Sequence, residues 1–392
     1  MKLGIKEKYN PNNPDHLNSE KYKIVEYENT GRRPTTIEII GSFEKDAERR
    51  DFTINAMGIN SKGEILDYFD GKKDIKNKVL KTVGNPAERF SEDYLRMMRA
   101  ARFSAKLDLK IDPDTKKAIK KLSKNILDLP VERIKDELMK AASSSGDKFA
   151  RYIEILDELK MLKLILPEVV NLKWFKENLH HHPETRGSGG TVFSHVMAAL
   201  RAANVSDPIK NLSLLLHDVG KGVTFSQVNG LPKYLRHAKA SVNLVNDIAD
   251  RLKMSNKERD SLIFAVGNHM KFHDILGMRA SKIADLVSND NWDVLVSTAR
   301  GDEFSRGEMF KYAGEFEKII DKAVKIKEKF GMKTLQHKLK LVDGNVVMKL
   351  TGLPQGEKVG KIITKVTSWI MDNDIKDQEK INNYIIKLSK EV

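Results

Sequence analysis

The sequence predicts a mostly α-helical chain that opens with a smaller strand-containing portion. Two observations carry this. Strand-like runs at Tyr22–Tyr27 and Thr36–Ile40 are separated by Gly31-Arg32-Arg33-Pro34, and from Asp93 onward apolar residues recur three and four apart. The apolar share is 40% of 392 residues, which suffices for sizeable cores and fits two to four domains.

In chain order, residues 1–20 are polar, with Asn10-Pro11-Asn12-Asn13-Pro14-Asp15 as a turn or disordered connector. Helices are expected over Tyr94–Leu107, Pro113–Ser123, Val131–Ala142 and Phe149–Leu166, the last stopping at Pro167-Glu168. Phe310–Phe330 is a Lys/Glu-rich amphipathic helix, and Val359–Asp372 follows the Gly/Pro-punctuated stretch Leu350–Gly356. No internal repeat stands out.

Net charge is +14 with an isoelectric point near 9.4, which suits a polyanionic partner such as RNA. Cysteine is absent, so disulfides and thiolate metal sites are excluded. No apolar run reaches the roughly 18 residues that cross a bilayer, and Met1-Lys2-Leu3-Gly4 opens no signal peptide. The expectation is a cytoplasmic protein with no membrane partner.

Residues 49–102 carry the densest chemistry. They contain Arg49-Arg50-Asp51-Phe52-Thr53-Ile54-Asn55, then Asp67-Tyr68-Phe69-Asp70-Gly71-Lys72-Lys73-Asp74, then Glu92-Asp93-Tyr94-Leu95-Arg96 with Arg99 and Arg102. On a helix, Arg96, Arg99 and Arg102 form one oblique cationic stripe. Guanidinium forks suit phosphate oxygens, and beside Asp93 they suit a base edge. A solvated charged helix face is the plainer reading of the same residues.

These three blocks resemble successive motifs of the class II tRNA nucleotidyltransferase family, the CCA-adding enzymes and their poly(A) polymerase relatives. The resemblance implies that Arg50, Asp51 and Asn55 contact the ribose and phosphates of an incoming nucleotide. It makes Asp67–Asp74 a hinge and Asp93 and Arg96 the readers of CTP or ATP, with Arg99 and Arg102 supporting the triphosphate. Glu132-Arg133 with Glu137 and Lys140 resembles the neck motif that braces this pocket; an ordinary helix start after Pro130 is the alternative.

In that family a Gly-Gly-x-Val-Arg-Asp loop and an Asp-x-Asp strand precede these blocks, and the two aspartates hold magnesium. Neither stands before Arg49. Glu26-x-Glu28 is the nearest substitute for the metal pair, a solvated strand edge being the alternative. The expectation is an N-terminally incomplete head, with a separate chain as one route to the absent loop.

Eight of the ten histidines lie between His180 and His273. The apolar run Leu214-Leu215-Leu216 ends in His217-Asp218, which places two ligand types at the end of a buried helix. Imidazole and carboxylate together suit magnesium or a borderline transition ion such as nickel or manganese. The ordered set His195, His217-Asp218 and Asp302 resembles the HD phosphohydrolase superfamily, and more closely the HD domain fused to enterobacterial CCA-adding enzymes. Gly220-Lys221-Gly222-Val223-Thr224, Leu231-Pro232, Arg236-His237 and Ala299-Arg300-Gly301-Asp302, with Arg306 and Gly307 beyond, match that subgroup.

The resemblance implies a metal-dependent phosphodiesterase and phosphatase for 2′,3′-cyclic and terminal phosphates. Its metal ligands would be His195, His217, Asp218 and Asp302, with His237 and His269 for a second ion. His217, Asp218 and Lys221 would be the catalytic residues. Lys221 is a phosphate holder or a surface lysine; His180-His181-His182 before Pro183-Glu184 is structural, and His273 is a rim residue.

The stretches Leu341–Met348 and Leu350–Gly356 resemble the family's small tail module, whose lysines form a phosphate-contact face or a solvated surface. The expected fold is therefore mostly α. A partial α/β nucleotidyltransferase head (1–90) precedes a helical neck and body (91–175), an HD-type all-α domain (176–308) and a small helical tail (309–392). The expected function is tRNA 3′-end processing, with tRNA or other RNA 3′ ends and nucleotides as partners. Two alternatives remain: an HD phosphohydrolase with an inactive head, and a non-catalytic RNA-binding relic.

Overall fold

The computed structural model describes residues 42–178, 182, 189–306, 309–329, 342–375 and 377–391. The expected strands Tyr22–Tyr27 and Thr36–Ile40, the connector, Glu26, Glu28, His180, His181, Pro183, Glu184, Gly307 and Leu341 lie outside these residues. The chain gathers into two units, Met1–Val170 with Ile248–Met254, and Asn171–Asp247 with Ser255–Val392. The expected boundary at residue 175 falls near that division, while those at 90 and 308 fall inside units.

In the first unit, helix α1 (Phe43–Glu48) precedes an antiparallel hairpin of β1 (Met57–Ile59) and β2 (Ile65–Asp67). Helix α2 (Gly71–Lys76) starts where the Asp67 carboxylate accepts the N–H groups of Gly71 and Lys72, both at 2.8 Å. Only glycine fits at 71, because a Cβ there would lie 2.4 Å from the Thr53 carbonyl oxygen. The block expected as a hinge is thus a tightly packed β2–α2 turn.

β3 (Val79–Leu80) pairs in parallel with β4 (Lys110–Ile111). Between them lie α3 (Pro86–Glu92), capped by Asn85, and α4 (Leu95–Leu107), which buries Met97, Met98, Ala100, Ala101 and Ala105. Asp112 and Pro113 start α5 (Pro113–Leu122), and α6 (Val131–Ala142) has the bounds its apolar spacing predicts. Both α6 and α7 (Gly146–Glu158) pack against α4.

The helix expected over Phe149–Leu166 is broken. Lys160 takes a φ of 64°, and a short helix resumes at Leu162–Ile165. Leu159, Met161 and Leu162 are all buried, so the apolar spacing runs through the break and hides it from sequence.

In the second unit, a Thr191/Ser194 capping box starts α8 (Val192–Ala203), and Asp207 with Pro208 starts α9 (Pro208–Leu216). A hairpin of β5 (Ser226–Val228) and β6 (Leu231–Lys233) leads to α10 (His237–Arg251). Its turn is Asn229-Gly230 with φ of 53° and 75°, the left-handed pair that a two-residue hairpin demands. Sequence reasoning missed this hairpin, although Asn-Gly is its standard signal.

Then come α11 (Asn256–His273), α12 (Ala280–Val287), α13 (Trp292–Phe304) and α14 (Met309–Lys329). The tail is α15 (Gly344–Thr351), α16 (Glu357–Asn373) and α17 (Gln378–Ser389), which share a cluster built on Val347, Ile362, Val366 and Ile385. Helix α13 packs on α8, α9 and α11. No helix of the described residues is long and apolar enough to cross a membrane.

Gly301 makes the α13 contacts close, since a Cβ there would fall 2.5 Å from Leu214 Cδ2 and 2.9 Å from the Ala199 carbonyl oxygen. Gly301→Ala should therefore destabilise the second unit by about 1–3 kcal/mol through overpacking. A urea titration followed by circular dichroism checks this, and an unchanged midpoint would refute it.

Candidate functional site

In the second unit, side chains from five segments converge. His195 lies on α8, His217 and Asp218 at the C-terminal end of α9, His237 at the start of α10, His269 in the last turns of α11, and Asp302 on α13. Two groups of ligand atoms each lie within 4.8 Å of one another: His195, His217 and Asp302, and Asp218, His237 and His269. All six residues inferred from sequence as ligands are thus brought together.

Asp218 joins the two groups. Its Oδ2 lies 3.2 Å from His217 Nε2 and 3.7 Å from His195 Nε2, and its Oδ1 lies 3.3 Å from His237 Nε2 and 3.8 Å from His269 Nε2. Asp302 Oδ1 sits 3.2 Å from His195 Nε2.

Tautomers follow from the backbone. His217, His237 and His269 each place Nδ1 2.7–2.9 Å from the carbonyl oxygen three residues earlier, Leu214, Tyr234 and Val266 respectively. A carbonyl only accepts, so each Nδ1 carries a proton, and Nε2 is the atom left to turn a lone pair inward whenever the ring is neutral. His217 Nε2 is buried without a hydrogen bond of good geometry. His237 and His269 Nε2 are 3.2 Å apart, a separation that two lone pairs tolerate only with a proton or a cation between them.

Charge points the same way. The carboxylates of Glu177, Asp218, Asp302 and Glu303 face two cations, Lys221 and Arg306, so neutral imidazoles leave an excess of negative charge. Burial opposes ionisation of Asp218, but His217 and Lys221 outweigh it and hold the carboxyl well below the usual range. Asp302 is likewise low, burial being outweighed by hydrogen bonds to His195 and His273. Burial and the neighbouring His217 push His269 down to about 4. For His217 burial is outweighed by Asp218, which raises its pKa. This donor set fits one or two divalent ions.

Lys221 is buried rather than superficial. Its ammonium donates to Glu177 at 2.7 Å and Asp218 at 2.9 Å, and both raise its pKa against the effect of burial. Glu177 was not foreseen: a lone glutamate in a polar stretch carries no sequence signal. His182 Nε2 lies 3.6 Å from Glu177. His273, expected at the rim, has Nε2 3.8 Å from Asp302 and is raised by it against burial.

The first unit holds an arginine-lined cleft of about 580 Å³, with Arg49, Arg50, Arg96, Arg99 and Arg133 around Asp51, Asn55 and Asp93. Asp51 pairs with Arg99 at 2.6 Å and accepts from Asn55 Nδ2 at 3.0 Å. Asp93 pairs with Arg133 at 2.8 Å, while Arg96 donates to Glu92 at 2.5 Å and to the Arg89 carbonyl at 2.9 Å. Arg102 is absent from the cleft lining. It donates to Glu137, which is buried on α6 and needs a cationic partner there. The three-residue stripe therefore divides: Arg96 and Arg99 line the cleft, and Arg102 braces α4 on α6.

Two family models match this chain: the "Poly A polymerase head domain" over residues 5–81, and the "Probable RNA and SrmB-binding site of polymerase A" over residues 108–172. A multifunctional CCA protein of Actinobacillus pleuropneumoniae serotype 5b is 30% identical over 321 residues, 76% of each chain. The chain belongs to the class II tRNA nucleotidyltransferase family. A CCA-adding enzyme of Ligilactobacillus salivarius is 52% identical over 117 residues, 30% of this chain and 29% of that relative. In fold, this family member resembles the Bacillus stearothermophilus CCA-adding enzyme in complex with CTP. That structure superposes with a TM-score of 0.63 at 20% identity, covering 90% of this chain and 76% of that one.

If the histidines bind metal, Ni²⁺, Mn²⁺ or Mg²⁺ should raise the melting temperature, by the equivalent of about 2–3 kcal/mol at a hundred times the dissociation constant. The raised pKa of His217 means that its proton must be displaced, so the gain should be larger at pH 8 than at pH 6. Calorimetry at both pH values checks this; a gain that grows on acidification would overturn the assignment.

Proposed function

We propose that this family member maintains tRNA 3′ ends, with a metal-dependent phosphohydrolase site in its second unit and a nucleotide-reading cleft in its first. The observation that supports the hydrolase is the convergence on Asp218 of imidazole lone pairs whose Nδ1 protons are committed to carbonyls. His195, His217 and Asp302 would hold one ion, and Asp218, His237 and His269 would share or hold a second. When bound, magnesium or a transition ion such as nickel or manganese supplies Lewis acidity and a hydroxide-forming water near neutral pH.

The protein's own contribution is orientation and charge. Carbonyls fix the imidazole rings, and Lys221, tied to Glu177, holds Asp218 ionised and in place. Lys221 therefore acts first as a positioning residue, its ammonium already committed to two carboxylates. Phosphodiesters and monoesters at RNA ends, including 2′,3′-cyclic phosphates, are the substrates proposed. The Actinobacillus relative is called a multifunctional CCA protein, which fits a chain with two sites.

A second reading, nucleotidyl transfer of CTP and ATP to a tRNA lacking its CCA end, is favoured by the arginine cleft. Asp93 and Arg96 would read the base edge, Arg50, Asp51 and Asn55 the ribose and phosphates, and Arg99 the triphosphate.

Asp218→Ala should reduce metal-dependent hydrolysis of 2′,3′-cyclic AMP by more than about 100-fold; full-rate hydrolysis by that variant would remove the hydrolase reading. Arg99→Ala should weaken CTP binding about 10- to 100-fold, the loss of one charge-assisted pair. Calorimetric titration measures it, and unchanged binding would detach Arg99 from the nucleotide. Incorporation of labelled CTP and ATP into tRNA lacking CCA tests the second reading directly.

A further inference from the structure

Beside the His/Asp cluster, a row of aromatic rings has no part in the hydrolytic chemistry. Within the second unit, the ring centroids of Phe175 and Phe225 are 5.5 Å apart and those of Phe225 and Tyr234 are 5.9 Å apart. The Tyr234 ring lies 5.4 Å from Lys221 Nζ, and that ammonium lies 2.9 Å from Asp218. Tyr234 also supplies the carbonyl that fixes His237. The row therefore runs up to the ligand-bearing carboxylate.

The row is partly open to water. Phe175 and Tyr234 are half-buried, Phe225 between them is 44% exposed, and Trp174, next in chain to Phe175, is 79% exposed. The rings are held firmly, because the β5–β6 hairpin carries Phe225 and Tyr234 on its two flanks and the Tyr234 hydroxyl donates to the Lys176 carbonyl at 2.6 Å. Large rings left in water on a rigid support mark a binding surface.

Charge identifies the occupant. From Val219 to Asn246 the chain contains no aspartate or glutamate, yet it carries Lys221, Lys233, Arg236 and Lys239. Lys173 and Lys176 flank Trp174, and all of these cations except Lys221 are exposed. Exposed π-faces amid exposed cations, with the nearby carboxylates Glu177 and Asp218 buried and already paired to Lys221, suit a flexible polyanion that has flat apolar faces of its own, namely single-stranded nucleic acid.

We infer that Phe175, Phe225 and Tyr234, with Trp174 at the outer end, form a stacking platform for the last bases of a single-stranded RNA. Stacked there, the strand has its terminal phosphate directed toward Lys221 and Asp218. That direction rests on the hydrolase reading; the platform itself does not. Stacking tolerates any base, so the site selects unpaired ends over duplex rather than one sequence over another.

The test uses the full chain and a short oligoribonucleotide with 5-iodouridine next to its 3′ end, irradiated in the presence of EDTA. Crosslinks should map to peptides containing Trp174, Phe175, Phe225 or Tyr234; crosslinks confined to other peptides would overturn the platform. With metal present, Phe225→Ala should raise the KM for a dinucleotide ending in a 2′,3′-cyclic phosphate about tenfold, and Phe225→Trp should restore it. An equal KM for parent and Phe225→Ala would also overturn it. If the parent hydrolyses nothing yet crosslinks at these rings, the hydrolase reading fails and the platform stands. A chain that is dimeric in sedimentation, monomeric as Phe225→Ala, and uncrosslinked at these rings would show a protein interface instead and sink the proposal.

Discussion

The geometry of the second unit depends on the Asp218 carboxylate. Both its oxygens are engaged, Oδ2 by His217 and Lys221 and Oδ1 by His237 and His269, so one buried anion ties together the end of α9, the following turn, α10 and α11. A buried carboxylate demands such company, because without it the cost of desolvation would drive it to the neutral acid. Gly220 makes the arrangement possible. A Cβ at that position would lie 2.2 Å from the His237 carbonyl oxygen and 2.5 Å from the Ser241 nitrogen, so only glycine lets the turn after Asp218 abut α10 this closely.

The first unit handles charge differently. Its arginines gather in a cleft, but each is already anchored: Arg99 to Asp51, Arg133 to Asp93, Arg96 to Glu92 and a carbonyl. Guanidinium groups fixed in this way lose little entropy on meeting an anion. Polar contacts already in place, such as Asp93–Arg133, would have to be exchanged for contacts to a base edge. The cleft is thus ordered by its own carboxylates.

Many of the residues that gather at both sites were legible in the sequence because their types are uncommon in these arrangements. An apolar run ending in His-Asp, further histidines downstream and a late aspartate announce a ligand set, and the structure gathers all six residues. Arg96 and Arg99 were legible for the same reason. Arg102 was not, because the three-residue spacing treats all three arginines alike while burial of Glu137 on α6 claims only the last. The break at Lys160 was hidden because the apolar pattern continues across it.

The sequence by itself determined the helix-rich class, several helix starts through their polar caps and prolines, and which His and Asp residues to look for together. All of these are local properties, set by spacing and side-chain chemistry. The tertiary structure alone decided that Glu177 would clamp Lys221, that His269 would meet Asp218, and that Phe175 would meet Phe225 beside the site. Those outcomes join residues tens of positions apart, and no pattern along the chain encodes a distance across it.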